Sequence, residues 1–170
     1  MASNSVSQRH QVKAAPRSLP VLSRLIAGKE TYIIFCDYSQ TDRIDLVKQG
    51  VPARLLTTIA NDMAITRERL YLWLGIPRAT ANRKVKADEV LSQDESERAL
   101  GIARLVGQVE KIVGESGDPT GFDAAKWTAA WLERPNAALG RKAPGSFMDT
   151  SDGRALISGL VAQMQSGAYA

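Results

Sequence analysis

Between Thr66 and Lys86 the chain carries six basic residues and one acidic residue, its densest positive stretch. Arg78, Ala79, Asn82, Arg83, Lys84 and Lys86 lie there, just after Gly75 and Pro77. These residue types suit contact with nucleic acid. An arginine guanidinium can read a guanine edge and an asparagine amide an adenine edge, while lysines suit phosphate oxygens. On a helix opened by Pro77, helical spacing puts Arg78, Ala79, Asn82, Arg83 and Lys86 on an outward face. Lys84 and Lys86 are the candidates for phosphates.

Side chains for covalent or metal chemistry are scarce. There is one cysteine, Cys36, and one histidine, His10. Neither an internal disulfide nor a Cys/His metal cluster can be built from them. His10 falls in residues 1–20, which read as a mobile tail with Arg9, Lys13 and Arg17, broken by Pro16 and Pro20. Those cations could reach a DNA backbone or simply be solvated. Cys36 adjoins the apolar run Tyr32–Phe35 and is expected to be buried rather than reactive. Asp118, Asp123 and Asp152 are scattered, and helix capping accounts for such acids. No nucleophile–base pair stands out. The expectation is a non-enzyme without cofactor or metal.

The elements that must position these residues are helices. Of 170 residues, 44% are hydrophobic but only 6% aromatic, with Ala and Leu abundant, which favours helix over sheet. The formal net charge of +4 permits an acidic partner without proving one. A single cysteine fits a reducing cytoplasm. The absence of a long apolar run argues against a membrane span.

Thr41–Gln49 reads as a helix stopped by Gly50, and Pro52 opens another through Leu55, Leu56, Ile59 and Ala60. Thr66 can cap Arg67–Leu74, ended by Gly75, and Pro77 can open Arg78–Lys86. Ser92 and Glu95 form a capping box ahead of a long helix striped by Ala99, Ile102, Ala103, Val106, Val109 and Val113. A loop is expected over 114–121, then a helix over 122–134. Thr150 can cap a last helix with Leu156, Ile157, Leu160, Val161 and Met164 inward. Tyr32–Phe35 could be a strand or a turn of helix.

Leu70, Leu74, Gly75, Ile76, Ala81 and Val85 have the spacing of a helix-turn-helix, with Gly75 free to adopt the left-handed turn. Tyr71 stands where a small residue is usual and Ala81 where a larger aliphatic is usual, a swap that can conserve volume. Two readings stay open: a DNA-reading unit, or a helix pair serving only as a dimerisation scaffold.

The second half carries a more specific pattern. Trp131-Leu132-Glu133-Arg134-Pro135-Asn136-Ala137-Ala138-Leu139-Gly140 precedes Pro144, Asp149-Thr150 and the final amphipathic helix. Read physically, Pro135 ends one helix, Asn136 caps a short turn, Leu139 tucks under Trp127 or Trp131, and Gly140 lets the chain reverse. Such a segment is architecture first and partner contact second. Trp127 and Trp131, four residues apart, suit core packing better than ligand stacking.

Together with Leu91-Ser92-Gln93-Asp94-Glu95-Ser96-Glu97-Arg98, the pattern resembles the Xre/MbcA/ParS antitoxin family over roughly residues 41–170. The resemblance implies an all-α protein: an Xre-like helix-turn-helix helical bundle joined to a small C-terminal helical toxin-binding domain. The divisions expected are an N-terminal extension over 1–40, an Xre-like domain over 41–90 and a toxin-binding domain over 91–170. It also implies a cytoplasmic antitoxin that covers the active site of a cognate RES-domain, NAD-degrading toxin, forms a homodimer and binds its operator DNA. A plain helix-turn-helix repressor without a toxin is the alternative. Candidates for toxin contact are Arg141, Lys142, Arg154, Gln163, Gln165, Tyr169 and Ala170. Tyr169 and the terminal carboxylate are the plug candidates, against the plainer reading of a frayed end.

Overall fold

The structure, a computed structural model, describes residues 30–116 and 119–165. Expectations placed on Arg9, His10, Lys13, Arg17, Asp118, Tyr169 and Ala170 lie outside the described residues. The helices are α1 (Glu30–Asp37), α2 (Gln40–Gln49), α3 (Arg54–Asp62), α4 (Arg67–Leu74), α5 (Arg78–Lys86), α6 (Gln93–Ser116), α7 (Ala124–Glu133) and α8 (Ser151–Gln165). Short 3-10 turns occupy Ala137–Leu139 and Pro144–Phe147. The fold is all-α, as expected. Among the described residues, extended pairing is limited to the isolated bridges Pro52–Val90 and Asn136–Lys142. No helix there is long and apolar enough to cross a membrane.

The spine is α6. Its capping box forms: the Ser92 N–H donates to Glu95 at 2.7 Å and the Glu95 N–H to the Ser92 hydroxyl at 3.2 Å, satisfying donors at the exposed helix start. Ala99, Ile102, Ala103, Val106 and Val109 are buried, as the stripe demands, and so are Leu100, Leu105 and Gly107. A helix buried on more than one side needs several neighbours; α1, α2, α3, α4, α7 and α8 all pack on it. The helix runs through Ser116, two residues past the expected loop start at Gly114.

Tyr32–Phe35, left between strand and helix by periodicity, lies in α1. Tyr32, Phe35 and Tyr38 are buried, so the end of the expected N-terminal extension is part of the core. Gly107 permits this packing. A Cβ there would sit 2.0 Å from the Tyr32 carbonyl oxygen, so only a bare backbone lets α1 lie so close to α6. The Tyr32 hydroxyl donates to Asp62 at 2.7 Å, which ties α1 to the end of α3.

The loops before α3 and before α6 are zipped together. The Ala53 N–H donates to the Glu89 carbonyl at 2.9 Å and the Leu91 N–H to the Val51 carbonyl at 2.8 Å. The fully buried Ser96 hydroxyl accepts from the Val51 N–H at 3.0 Å and donates to the Leu91 carbonyl. Sequence positions on either side of residue 90 are therefore hydrogen-bonded into one body.

One expectation needs correcting. Ile157, Leu160 and Val161 of α8 are buried, but Leu156 is 46% exposed and Met164 37% exposed. The inward stripe of α8 is narrower than its apolar content suggested, because it docks mainly along α6 and the turn before it.

Candidate DNA-facing and partner-facing surfaces

The helix-turn-helix geometry is built locally. The Thr66 hydroxyl accepts from the Arg69 N–H at 3.2 Å and starts α4. Gly75 ends it with φ of 59°, a left-handed conformation that costs glycine little. Leu70, Leu74, Ile76 and Ala81 are buried, and Val85 packs against the core. Like the small Ala81 of α5, Tyr71 is buried. Its hydroxyl donates to the Asn82 side-chain oxygen at 3.3 Å. Burial pushes the Tyr71 phenol above its ordinary pKa, keeping it a neutral donor.

The outward residues of α5 divide by engagement. Ala79 and Lys86 are exposed. Arg78 is exposed and meets Glu68 at 3.2 Å; Arg83 is exposed and meets Glu89. Such exposed pairs hold weakly, so both guanidiniums can exchange partners. Asn82 is half-buried, with its amide oxygen engaged by Tyr71.

Lys84 is different. Its side chain is only 13% exposed and its ammonium lies 2.5 Å from Glu95. It therefore fastens α5 to the capping box of α6. Burial works to raise the Glu95 pKa, but hydrogen bonds from Lys84 and the Ser92 N–H, with the Lys84 charge, outweigh it and hold the carboxyl below its ordinary value.

The C-terminal segment folds into a clasp. The Asn136 side chain accepts from the Ala138 N–H at 2.9 Å, and the Asn136 N–H donates to the Lys142 carbonyl at 3.0 Å. Gly140 has φ of 61° and Arg141 φ of 64°, so the reversal uses two successive left-handed residues. Arg141 and Lys142 are exposed, with the Lys142 ammonium 6.0 Å from the Phe147 ring centre. Leu139 is buried, and the Trp127 and Trp131 rings stack at 6.1 Å between centres.

The clasp closes onto the helix-turn-helix. Trp73 of α4 is buried, and a Cβ on Gly145 would lie 2.4 Å from its indole nitrogen. From α6, Arg98 donates to the Leu74 carbonyl at 3.0 Å and the Gly75 carbonyl at 3.1 Å while pairing with Asp94. Arg154 donates to the Met148 carbonyl at 3.1 Å and pairs with Glu97, its side chain 11% exposed. Of the candidates for toxin contact, Arg154 is thus drawn into the joint between α6 and α8. Gln163 lies on the exposed side of α8, and Gln165 is its last helical residue.

Sequence reasoning missed Trp73 and Arg98 as links between the halves. Trp73 sits in an apolar run whose helical face could not be distinguished from ordinary core. Arg98 falls at the end of the Leu91–Arg98 stretch, and nothing in its spacing points to the carbonyls of a helix end.

A helix-turn-helix unit with an exposed basic helix, fastened through its turn to a helical C-terminal unit, defines a protein class that combines two binding modules in one core. The comparisons agree in both parts. Residues 42–104 match the antitoxin Xre-like helix-turn-helix domain, and residues 112–167 match the antitoxin Xre/MbcA/ParS C-terminal toxin-binding domain. The chain is 42% identical over 132 residues to a Prs ADP-ribosylating antitoxin of Sphingobium sp. (strain YBL2), covering 78% of this chain and 83% of that protein. It is 25% identical over 126 residues to antitoxin Xre of Yersinia enterocolitica (74% and 80% of the two chains). It is 22% identical over 159 residues to antitoxin Xre of Pseudomonas putida (93% and 85%). The chain belongs to the Xre/MbcA/ParS antitoxin family and is an antitoxin of a toxin–antitoxin system.

Proposed function

We propose that the chain neutralises a cognate RES-domain toxin that consumes NAD, by lying over the toxin's active site, and that it represses its own operon as a homodimer in a reducing cytoplasm. The observation that carries the reading is the toxin-binding domain over residues 112–167, joined to a helix-turn-helix with an exposed basic helix. The name of the 42% identical relative supports NAD as the toxin's substrate, since ADP-ribosylation draws its ADP-ribose from NAD.

In this reading neutralisation is occlusion and needs no bond-making by the antitoxin. Arg141 and Lys142 stand exposed on the clasp loop, where their cations suit acidic groups at a pocket rim. Gln163 stands on the exposed side of α8, and Gln165, Tyr169 and Ala170 complete the proposed contact from the residues at and after the end of that helix. Arg154 acts by holding α8 in place.

Repression rests on Arg78, Ala79, Asn82, Arg83 and Lys86, carried on an α-helix, an element whose diameter a major groove admits. A homodimer would place two such helices on two half-sites. Leu72, 68% exposed on α4, is an apolar candidate for the dimer interface.

The test is co-expression with the toxin encoded alongside. The expected result is growth and an undepleted NAD pool with the whole chain, and weaker rescue after deletion of Gln165–Ala170, with folding retained. Continued NAD loss with the whole chain present defeats the occlusion reading.

A further inference from the structure

An apolar groove of about 280 Å³ runs between the end of α6, the start of α7 and α8, lined by Val109, Ile112, Phe122, Trp127, Val161 and Met164. Val113 and Phe122 line both this groove and an adjoining cleft of about 690 Å³. That cleft also carries three carboxylates against one basic side chain on its wall: Glu110; Asp62, which accepts from Tyr32; and Asp123, which caps α7 and pairs with Lys126 at 3.2 Å. The surface is thus apolar at one end and acidic at the other. Its complement is an amphipathic basic segment.

The chain contains such a segment and delivers it there. Residues 1–29 hold five basic residues and no acidic one. Within them Val21, Leu22, Leu25 and Ile26 have helical spacing, with Arg24 and Lys29 interspersed. Lys29 is followed directly by α1, and Tyr32 of α1 lines the acidic cleft. Nine residues, Val21–Lys29, reach up to about 30 Å extended or about 13 Å as helix, so the adjoining groove is within range. A tether this short gives an effective concentration of order millimolar, so weak complementarity suffices.

We propose that residues 21–29 dock on their own chain, with Leu22, Leu25 and Ile26 in the groove and Arg24 and Lys29 against the acidic cleft. The other end of the chain is a poorer occupant: Ser166–Ala170 carries no charged side chain to answer the cleft. Most of the groove lies within the residues that match the toxin-binding domain, 112–167.

The test uses the full chain without toxin. Under limited trypsin digestion, cleavage after Arg24 is expected to be about tenfold or more slower than after Arg17, because proteolysis follows the population of the undocked segment. The protection should not change with protein concentration. It should disappear in a Leu22→Ser/Ile26→Ser variant and in Met164→Lys. The first alters residues outside the described fold and the second an already exposed side chain, and unchanged thermal unfolding confirms that both remain folded. Equal cleavage at Arg17 and Arg24 in the parent overturns the proposal. Protection that grows with concentration places the segment on a second copy and also overturns it. So does protection that survives both variants, or that is lost on deleting Ser166–Ala170 instead.

Discussion

The Trp73 indole lies against the bare backbone of Gly145: a Cβ on that glycine would come within 2.4 Å of the indole nitrogen. The first helix of the helix-turn-helix and the clasp of the toxin-binding domain therefore meet at one point with no room to spare. Gly145→Ala is expected to cost about 1–3 kcal/mol, the usual range for overpacking. Denaturant unfolding followed by tryptophan emission checks it. Because this point joins both units, the transition should move as a whole; a parent-like midpoint means the two units yield to each other freely.

Gly107→Ala should be worse. The added methyl would meet the Tyr32 carbonyl at 2.0 Å, and a backbone atom cannot rotate aside as a side chain can. The cost is expected at or above the upper end of the about 1–3 kcal/mol range. Detachment of α1 should accompany it, seen as faster amide exchange over 31–37. Retained protection there contradicts the close packing of α1 on α6.

Arg78→Ala with Arg83→Ala should weaken operator binding by about 1–3 kcal/mol for each base no longer read and spare rescue from the toxin. Lys84→Ala should behave differently, since its ammonium serves the joint with Glu95. It should lower the unfolding midpoint and affect DNA only through folding. Binding assays on an operator fragment, paired with melts, separate the cases. Weaker DNA binding by Lys84→Ala at full stability would return it to the phosphate-binding group.

Glu95 makes stability depend on acid pH. Its carboxyl is held below the ordinary 4.5 in the fold, so unfolding raises its pKa. The stabilisation is present above the unfolded value and is lost as pH falls through the folded one. Stability is expected to decline below about pH 4.5, and Glu95→Gln should flatten that part of the profile. Parallel slopes for parent and variant would assign the acid sensitivity to other carboxylates.

Much of this arrangement was legible in residues that act locally. Thr66, Gly75, Pro77 and the Ser92–Glu95 pair mark helix ends because caps and turns depend on one side chain and the next few backbone groups. The Asn136 cap and Gly140 reversal were readable for the same reason. What stayed hidden depends on distant partners. Residue type made Lys84 a phosphate candidate, and the family resemblance made Arg154 a candidate for toxin contact; neither could show that Glu95 and Glu97 would meet them. Met164 and Leu156 have apolar side chains, yet only the docking angle of α8 decides which side of it is covered. Tyr32–Phe35 is too short a run for periodicity to choose between strand and helix, and the choice was made by a glycine over 70 positions away.

The single spine α6 also governs how the protein can be removed. Helices of both modules pack on it, so a proteolytic cut within α6 takes the support from both at once. On the function proposed here, breaching that helix would free the toxin and lift repression of its gene in the same event. A time course in which promoter silencing long outlasts protection from the toxin would show that the two fates can be uncoupled.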